Sequence, residues 1–159
     1  MSGSGIDADA FKDALGRFAT GVTVVATDTD GGPKGITVNA FLSLSLHPPL
    51  VGVSIDRSSQ AHDGLMRADR FGVSVLAGDQ APLSNRFAGR DGAGEATPWE
   101  RLADAPVLPG AVARLSCRIE ARVPTGDHTL FVAEVEAVRS DDLPPLAYFR
   151  GRYRALRDD

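Results

Sequence analysis

The segment from Gly35 to Asp56 alternates between apolar and small polar residues. The apolar positions are Ile36, Val38, Ala40, Leu42, Leu44 and Leu46. The intervening positions carry Thr37, Asn39, Ser43 and Ser45, with Phe41 as the exception. This period of two predicts a β-strand with one face in a core. The other face has no charge, which favours a covered surface that holds a flat, hydrogen-bonding ligand. An edge strand with short polar residues would give the same pattern.

The rest of the chain predicts more strands and few helices. An apolar stripe at Phe11, Ala14, Leu15 and Phe18 indicates one amphipathic helix. Further strands are predicted at 22–26, 50–56, 71–77, 114–123, 129–138 and 146–156, and short helices at 60–68 and 83–88. Pro48 and Pro49 must interrupt the ladder. Residues 90–98, rich in glycine and charge, predict a mobile surface loop. Six or more strands predict a mainly β, antiparallel, barrel-like fold.

Composition adds limits to this picture. A length of 159 residues suits one domain, which we expect at 7–159 after a flexible N-terminus at 1–6. A net charge of −4 argues against a nucleic-acid partner, and no apolar run approaches the ~18 residues that span a bilayer. A secretory signal is not evident. The single cysteine, Cys117, lies in an apolar row and predicts a structural thiol in a reducing, cytoplasmic compartment.

One candidate site lies where the strand at 50–56 enters Arg57-Ser58-Ser59 and a helix. Ser54 and Asp56 precede this turn. Free amides at a helix start, two hydroxyls and a guanidinium together suit a phosphate group. The purely structural alternative is that Ser59 only caps the helix and that Arg57 is solvated.

Two later segments are also candidates. Gly126-Asp127-His128 forms a predicted hairpin turn, whose histidine either contacts a polar ligand or is simply exposed. Residues 148–153 (YFRGRY) combine aromatic and basic side chains, which can stack on a planar ring or belong to the core. No histidine pair has metal-ligand spacing. Dinucleotide-binding, P-loop and nucleophile-elbow motifs are absent as well.

Taken in order, these segments resemble the short-chain flavin reductase family, which has an FMN-binding split β-barrel, a Greek-key-like antiparallel barrel with a few short helices. The resemblance extends from about Phe11 to Leu156. The segments that carry it are FATGVTVV at 18–25, GITVNA at 35–40, SLSLHPPL at 43–50, GDH at 126–128 and YFRGRY at 148–153.

The resemblance implies an NAD(P)H:flavin oxidoreductase. Such an enzyme uses NADH or NADPH to reduce free FMN or FAD by hydride transfer to flavin N5, and it supplies reduced flavin to a separate flavin-dependent monooxygenase. A homodimer with flavin near the subunit interface is implied too. The residues do not choose between FMN and FAD, or between NADH and NADPH.

The family's site residues carry over to particular positions of this sequence. The implied flavin-binding residues are Thr37, Val38, Asn39, Ala40, Ser43, Ser54, Asp56, Arg57, Ser58, Ser59, Arg86, Phe87 and Ala88. The implied nicotinamide-binding residues are His128, Tyr148 and Arg152. No catalytic side chain and no metal are implied, because the cofactors supply the reactivity.

Two other functions fit a split barrel. One is a tightly flavin-bound protein that passes electrons between proteins. The other is a non-catalytic flavin-binding domain. The Gly126-Asp127-His128 triplet favours the reductase, since an electron carrier needs no nicotinamide contact.

Overall fold

The computed structural model describes residues 5–90 and 96–159; residues 1–4 of the predicted flexible N-terminus and 91–95 of the predicted loop lie outside them. The helices are α1 Ala8–Gly16, α2 Gln60–Arg67 and α3 Ala81–Phe87. The strands are β1 Thr20–Gly21, β2 Thr23–Thr29, β3 Gly32–Val38, β4 Phe41–Ser45, β5 Leu50–Asp56, β6 Arg70–Val75, β7 Glu100–Leu102, β8 Ala105–Val107, β9 Ala113–Thr125, β10 His128–Ser140, β11 Ala147–Phe149 and β12 Arg152–Arg154. None of the helices in the described part of the chain has the length and hydropathy of a membrane-spanning segment.

Seven strands form one antiparallel sheet in the order β3-β2-β6-β9-β10-β5-β4. Its two edge strands, β3 and β4, are consecutive in the chain, and no ladder joins them in the described structure. The connection between them contacts β5, whose Ser54 N–H donates to Ala40 O at 3.0 Å. The sheet therefore curls into an open barrel, and the predicted mainly β, antiparallel fold is confirmed.

Alternate residues of the strands fill the barrel. The buried side chains include Val25, Val53, Ile55, Phe71 and Phe131, with Leu65 of α2 packed among them. A second buried cluster lies outside the barrel near α3, and it contains Val22, Val24, Leu76, Leu108 and Leu146. The period of two seen in the sequence thus places one residue in the barrel and the next on its outer face.

The β7–β8 hairpin, which the sequence pattern did not predict, lies directly against β6 at Gly72. A Cβ at position 72 would be 2.0 Å from Pro106 O, far inside van der Waals contact. Only glycine lets the two backbones approach this closely.

The predicted continuous strand through 35–46 is wrong. The chain breaks at Asn39–Ala40, between β3 and β4. Three leucines of the predicted core row are exposed, at 42% for Leu42, 40% for Leu44 and 76% for Leu46. Phe41 pairs with the buried Val53, and Leu42 pairs with Gly52. Leu42 and Leu44 therefore lie on the outer face of the sheet, where each approaches Gly52.

The predicted final strand at 146–156 is instead the β11–β12 hairpin. Arg150 (φ 52°) and Gly151 (φ 76°) form its turn, as in the two-residue turns that require positive φ at both positions. β11 also pairs with β1, with Thr20 opposite Tyr148. This small sheet brings the C-terminal segment beside the break at Asn39–Ala40.

Candidate functional site

A cavity of about 600 Å³ opens at the break between β3 and β4. We call it the large cavity. Its lining residues are Leu15, Phe18, Ala19, Thr20, Gly21, Thr23, Asn39, Ala40, Phe41, Leu42 and Val75. They come from the end of α1, from β1 and β2, and from the break itself. The volume is typical of cofactor sites, and the lining is mostly apolar with a few polar groups.

One hydroxyl in this lining has no partner. Thr20 Oγ1 is buried and forms no hydrogen bond in the described structure. In contrast, Thr23 Oγ1 donates to Val38 O at 2.6 Å. A buried polar atom normally has a partner, so Thr20 Oγ1 fits a bound group that supplies one.

A smaller cavity of about 160 Å³ adjoins the first at Asn39, which lines both. We call it the small cavity. Its lining residues are Val22, Thr37, Asn39, Ser84, Ala88, Arg90, Tyr148 and Tyr153. The exposed Asn39 amide therefore lies where a ligand in either cavity can contact it.

Most polar groups of the small cavity already bond to each other. Thr37 Oγ1 donates to Ser84 O at 2.6 Å. Tyr153 OH donates to Asn85 Oδ1 at 2.8 Å and lies 2.7 Å from Ser84 Oγ. The hydroxyl of Thr37 thus serves first to hold β3 against α3. Asn39, two residues further along the chain, borders both cavities.

Arg90 supplies a cation to the small cavity. A hydrogen bond with Tyr148 is the main cause that raises the pKa of its guanidinium. Tyr148 in turn lies beside Tyr153, with ring centroids 5.6 Å apart. Tyr148, which the resemblance implies as a nicotinamide-binding residue, also lines the small cavity.

The turn from Asp56 to Ser59 has a defined internal structure. The Asp56 carboxylate accepts hydrogen bonds from Ser58 N–H and Ser58 Oγ, both at 2.8 Å. These two bonds are the leading causes that lower the pKa of Asp56. Ser58 is consequently committed to shaping the turn.

Other donors of this turn remain for an anion. Ser59 is the N-cap of α2 but makes no side-chain cap bond, and its buried Oγ has no partner in the described structure. The side chain of Arg57 is exposed nearby. The first turn of a helix also presents amide N–H groups that lack intrahelical acceptors.

His128 is the first residue of β10 and lies opposite Asp56 of β5. Its Nδ1 is 2.7 Å from Asp127 Oδ1, and its side chain is 39% exposed. Arg57 N–H donates to Asp127 O at 3.0 Å. The structure therefore brings the Gly126-Asp127-His128 turn against the Asp56–Ser59 turn.

One strand connects this pair of turns to the large cavity. Ala40, in the cavity lining, accepts the Ser54 N–H bond. Ser54 and Asp56 then lie on the same outer face of β5, while Val53 and Ile55 point into the core. A ligand that follows β5 could contact the break at one end and the Asp56–Ser59 turn at the other.

Several residues implied by the resemblance lie elsewhere. Ser43 and Arg152 are exposed and line neither cavity. Phe87 packs on Trp99, with ring centroids 5.4 Å apart. Of the 86–88 segment, only Ala88 lines the small cavity. Arg86 is half-buried on α3. Val38 is buried in the barrel core.

The sequence pattern missed the contribution of α1 to the site. None of its residues is buried, and its end brings Leu15 and Phe18 to the large cavity, where they remain 55% and 75% exposed. The apolar stripe predicted a helix, but nothing in the sequence pattern indicated that this stripe faces a cavity instead of a core. Thr20 was missed because the FATGVTVV segment at 18–25 predicts a strand and gives no sign of an unpartnered hydroxyl, and Arg90 was missed because it only begins the predicted loop at 90–98.

Among the described residues, no cluster of three His, Cys, Asp or Glu side chains is arranged to hold a metal ion. Cys117 is fully buried, and burial raises the pKa of its thiol to about 12. It is therefore inert as a nucleophile. The site offers hydrogen-bond donors, aromatic rings and cations around two cavities, which suits the binding of planar, anionic molecules.

Comparison with known proteins gives a consistent result. Residues 15–157 match the flavin reductase like domain. An NADH-dependent flavin reductase of Rhodococcus is 41% identical over 148 residues, which cover 91% of this chain and 84% of that protein. The reductase component of a 4-hydroxyphenylacetate 3-monooxygenase of Thermus thermophilus is 43% identical, covering 93% of this chain and 96% of that protein.

A solved structure agrees with these matches. The flavin reductase PheA2 in its native state superposes with a TM-score of 0.93 at 38% identity. The match covers 96% of this chain and 100% of that one.

Proposed function

The chain belongs to the flavin reductase-like family, and we propose that it oxidises NADH or NADPH to reduce FMN or FAD. The predicted family, its split-barrel fold and its enzyme class, NAD(P)H:flavin oxidoreductase, are confirmed. Within the structure, the observation that supports this activity best is the large cavity beside Asn39 and Ala40, with the unpartnered Thr20 hydroxyl in its wall.

We propose that the flavin ring binds in the large cavity and its phosphate at the Asp56–Ser59 turn. Asn39 and Thr20 would supply polar contacts to the ring, and the apolar lining would exclude water from it. Arg57 and Ser59 Oγ would supply the donors for the phosphate. When both cofactors are bound, they supply the hydride chemistry from nicotinamide C4 to flavin N5. The protein's part is to hold the two rings together.

We propose that the nicotinamide nucleotide is held by residues on both sides of the site. His128 would contact it beside the Asp56–Ser59 turn, and Tyr148 beside the small cavity. Arg152 is exposed on β12 and would meet an anionic group at the rim. The cation of Arg90, bonded to Tyr148, adds positive charge to the small cavity.

We propose that a separate monooxygenase consumes the reduced flavin. Relatives named as reductase components of monooxygenases support this role. We also propose a cytoplasmic location, because the lone Cys117 is a free thiol, as is usual for proteins of a reducing compartment.

We propose that the protein is a homodimer. Exposed leucines of β4 (Leu42 and Leu44) and of the following turn (Leu46) form an apolar surface, and Phe11 and Phe18 of the α1 segment are 56% and 75% exposed. A second copy would cover such surfaces and the edge strands next to them. It would also shield the open side of the large cavity. Sedimentation that gives a fully active monomer at micromolar concentration would contradict this.

An assay of NADH and NADPH oxidation with FMN, FAD and riboflavin as acceptors tests the proposed function. The expected result is turnover with excess free flavin, together with a flavin that dissociates during gel filtration. An electron-transfer flavoprotein would instead retain its flavin and oxidise NADH slowly. A non-catalytic binding domain would bind flavin without oxidising either nucleotide.

A further inference from the structure

One buried residue, His62, connects the Asp56–Ser59 turn to the start of β10 at His128. The backbone N–H of His62 donates to Ser59 O at 3.2 Å. Its Nε2 lies 2.8 Å from Thr129 Oγ1, and Thr129 follows His128 directly in β10. Two hydrogen bonds therefore lead from the turn to the residue beside His128.

The His62–Thr129 pair is enclosed in the core. The two residues are only 8% and 5% exposed. The imidazole meets Phe131 edge-on, with ring centroids 5.9 Å apart. Polar groups in such surroundings need a partner. The threonine hydroxyl can donate or accept, so it satisfies Nε2 in either tautomer. Because the bond forms only when α2 sits correctly against β10, the pair fixes where α2 begins.

Arg122 anchors the other end of α2 to the same hairpin. Its Nη2 donates to Leu65 O at 3.3 Å and to Ala68 O at 2.5 Å. These carbonyls lie at the C-terminal end of the helix, where a cation is favourable. Arg122 belongs to β9, directly opposite Phe131 of β10. The helix is thus bonded to the β9–β10 hairpin at both ends, and the turn before it cannot shift without breaking a buried bond.

We propose that His62 is a positioning residue, which holds the Asp56–Ser59 turn in its anion-binding geometry through its bond to Thr129. The inference rests on the proposed function in one respect, since it takes this turn as the seat of the flavin phosphate. Donors on a short turn bind an anion well only when their backbone is fixed in advance. His62 supplies that fixation from the core, without contacting the ligand.

Flavin titrations of Thr129→Val test the proposal. Valine keeps the shape of threonine but removes the hydroxyl. Riboflavin lacks the phosphate of FMN. Titrations with both ligands therefore separate an effect on phosphate binding at the turn from an effect on the rest of the site. We expect the Kd for FMN to rise about tenfold, the scale of one lost hydrogen bond, and the Kd for riboflavin to change less than about twofold. Thr129→Ser, which keeps the hydroxyl, should behave as the unmodified protein.

Thr27→Val is the matched control. Thr27 is also buried, and its hydroxyl donates to Arg70 O at 2.9 Å, outside the proposed phosphate seat. Both Kd values should stay unchanged in this variant. If Thr129→Val does not fold, His62→Leu removes the same bond from the helix side and is read in the same way.

If Thr129→Val leaves the ratio of the Kd for FMN to the Kd for riboflavin unchanged, the proposal is overturned. This holds whether both Kd values stay the same or rise by the same factor. A protein that binds FMN and riboflavin equally before any substitution would overturn it too, because the turn would then hold no phosphate. Absence of NADH and NADPH oxidation would contradict the proposed function instead. The titrations need no turnover, so the two failures are distinguishable.

Discussion

Asp56 and His128 are Cα partners across the antiparallel β5–β10 ladder. The pairing places the Gly126-Asp127-His128 turn beside the Asp56–Ser59 turn, and the Arg57 N–H bond to Asp127 O secures it. Two segments that the sequence offered as separate candidates therefore form one surface. A phosphate at one turn and a nicotinamide nucleotide at the other would lie close to each other.

His128→Ala should raise the KM for NADH or NADPH about tenfold and leave flavin affinity unchanged. The reason is the loss of one hydrogen bond to the nucleotide, which costs about 1–2 kcal/mol. Steady-state kinetics with each nucleotide measure the effect. His47→Ala is the control, because His47 is exposed in the turn at the opposite end of β5. Kinetics identical to those of the control would show that His128 belongs only to the turn.

Arg57→Ala should weaken FMN binding by about 1–3 kcal/mol, the range for a charge-assisted hydrogen bond. Riboflavin binding should change little, because riboflavin has no phosphate. Fluorescence titration measures both affinities. Arg139→Ala, an exposed arginine near the far end of β10, controls for the loss of one positive charge. Equal FMN affinity in the two variants would remove Arg57 from the phosphate site.

Thr20→Val separates ligand binding from stability. Thr20 Oγ1 is buried without a partner in the described structure, so its removal should leave the ligand-free protein equally or more stable. Flavin affinity should fall about tenfold if the hydroxyl bonds the ring. Thr23→Val provides the contrast: its hydroxyl bonds Val38 O, and its loss should cost about 1 kcal/mol of unfolding free energy. Thermal melts with and without FMN distinguish the two variants, and an unaltered flavin affinity in Thr20→Val would count against this contact.

Local sequence patterns predicted the strands well where one face is buried and a clear stop follows. Leu50–Asp56 was predicted with its observed bounds, because it alternates and is flanked by Pro49 and by Arg57-Ser58. The break at Asn39–Ala40 was missed because the alternation continues through it, although the chain there passes from one sheet edge to the other. The positive φ of Arg150 has no signal in the residue type.

The features of the candidate site also fall into two groups: those that local motifs predicted and those that only the fold reveals. The Asp56–Ser59 turn and the Gly126-Asp127-His128 turn carry local motifs, so both were found. Their adjacency depends on the β5–β10 register, which no local window contains. The unpartnered hydroxyl of Thr20 and the His62–Thr129 bond arise from tertiary packing alone. A sequence pattern can predict a site's parts, whereas the relation between those parts requires the fold.

Gly72→Ala should destabilise the fold severely, because the new Cβ would be 2.0 Å from Pro106 O. Backbone must move to relieve this contact, and we expect a loss of about 3 kcal/mol or more in unfolding free energy. Gly64→Ala is the matched control: it lies in α2, and its nearest contact would be an ordinary 3.6 Å from Thr27. Alanine there should stabilise by about 0.5–1 kcal/mol. Equal denaturation midpoints for the two variants would contradict the close approach of β8 to β6.

The ion pair between Asp28 and Arg101 makes stability depend on pH in the acid range. Arg101 donates two hydrogen bonds of 2.8 Å to the Asp28 carboxylate and links β7 to β2. These bonds are the main cause that lowers the pKa of Asp28 below 3.8.

A carboxyl whose pKa is lower in the folded state binds protons more readily when unfolded. Its contribution to stability is therefore complete well above pH 4 and is lost as the pH falls through the folded pKa.

Asp28→Asn should remove this contribution, which is at most about 1 kcal/mol because the pair is half exposed. Urea denaturation at pH 7 and pH 3 measures it. The variant should be less stable than the unmodified protein at pH 7, and the gap should narrow at pH 3. Asp30→Asn, in the neighbouring turn and without an ion pair among the described residues, should show no such narrowing. A gap of equal size at both pH values would mean that the pair acts through packing and not through charge.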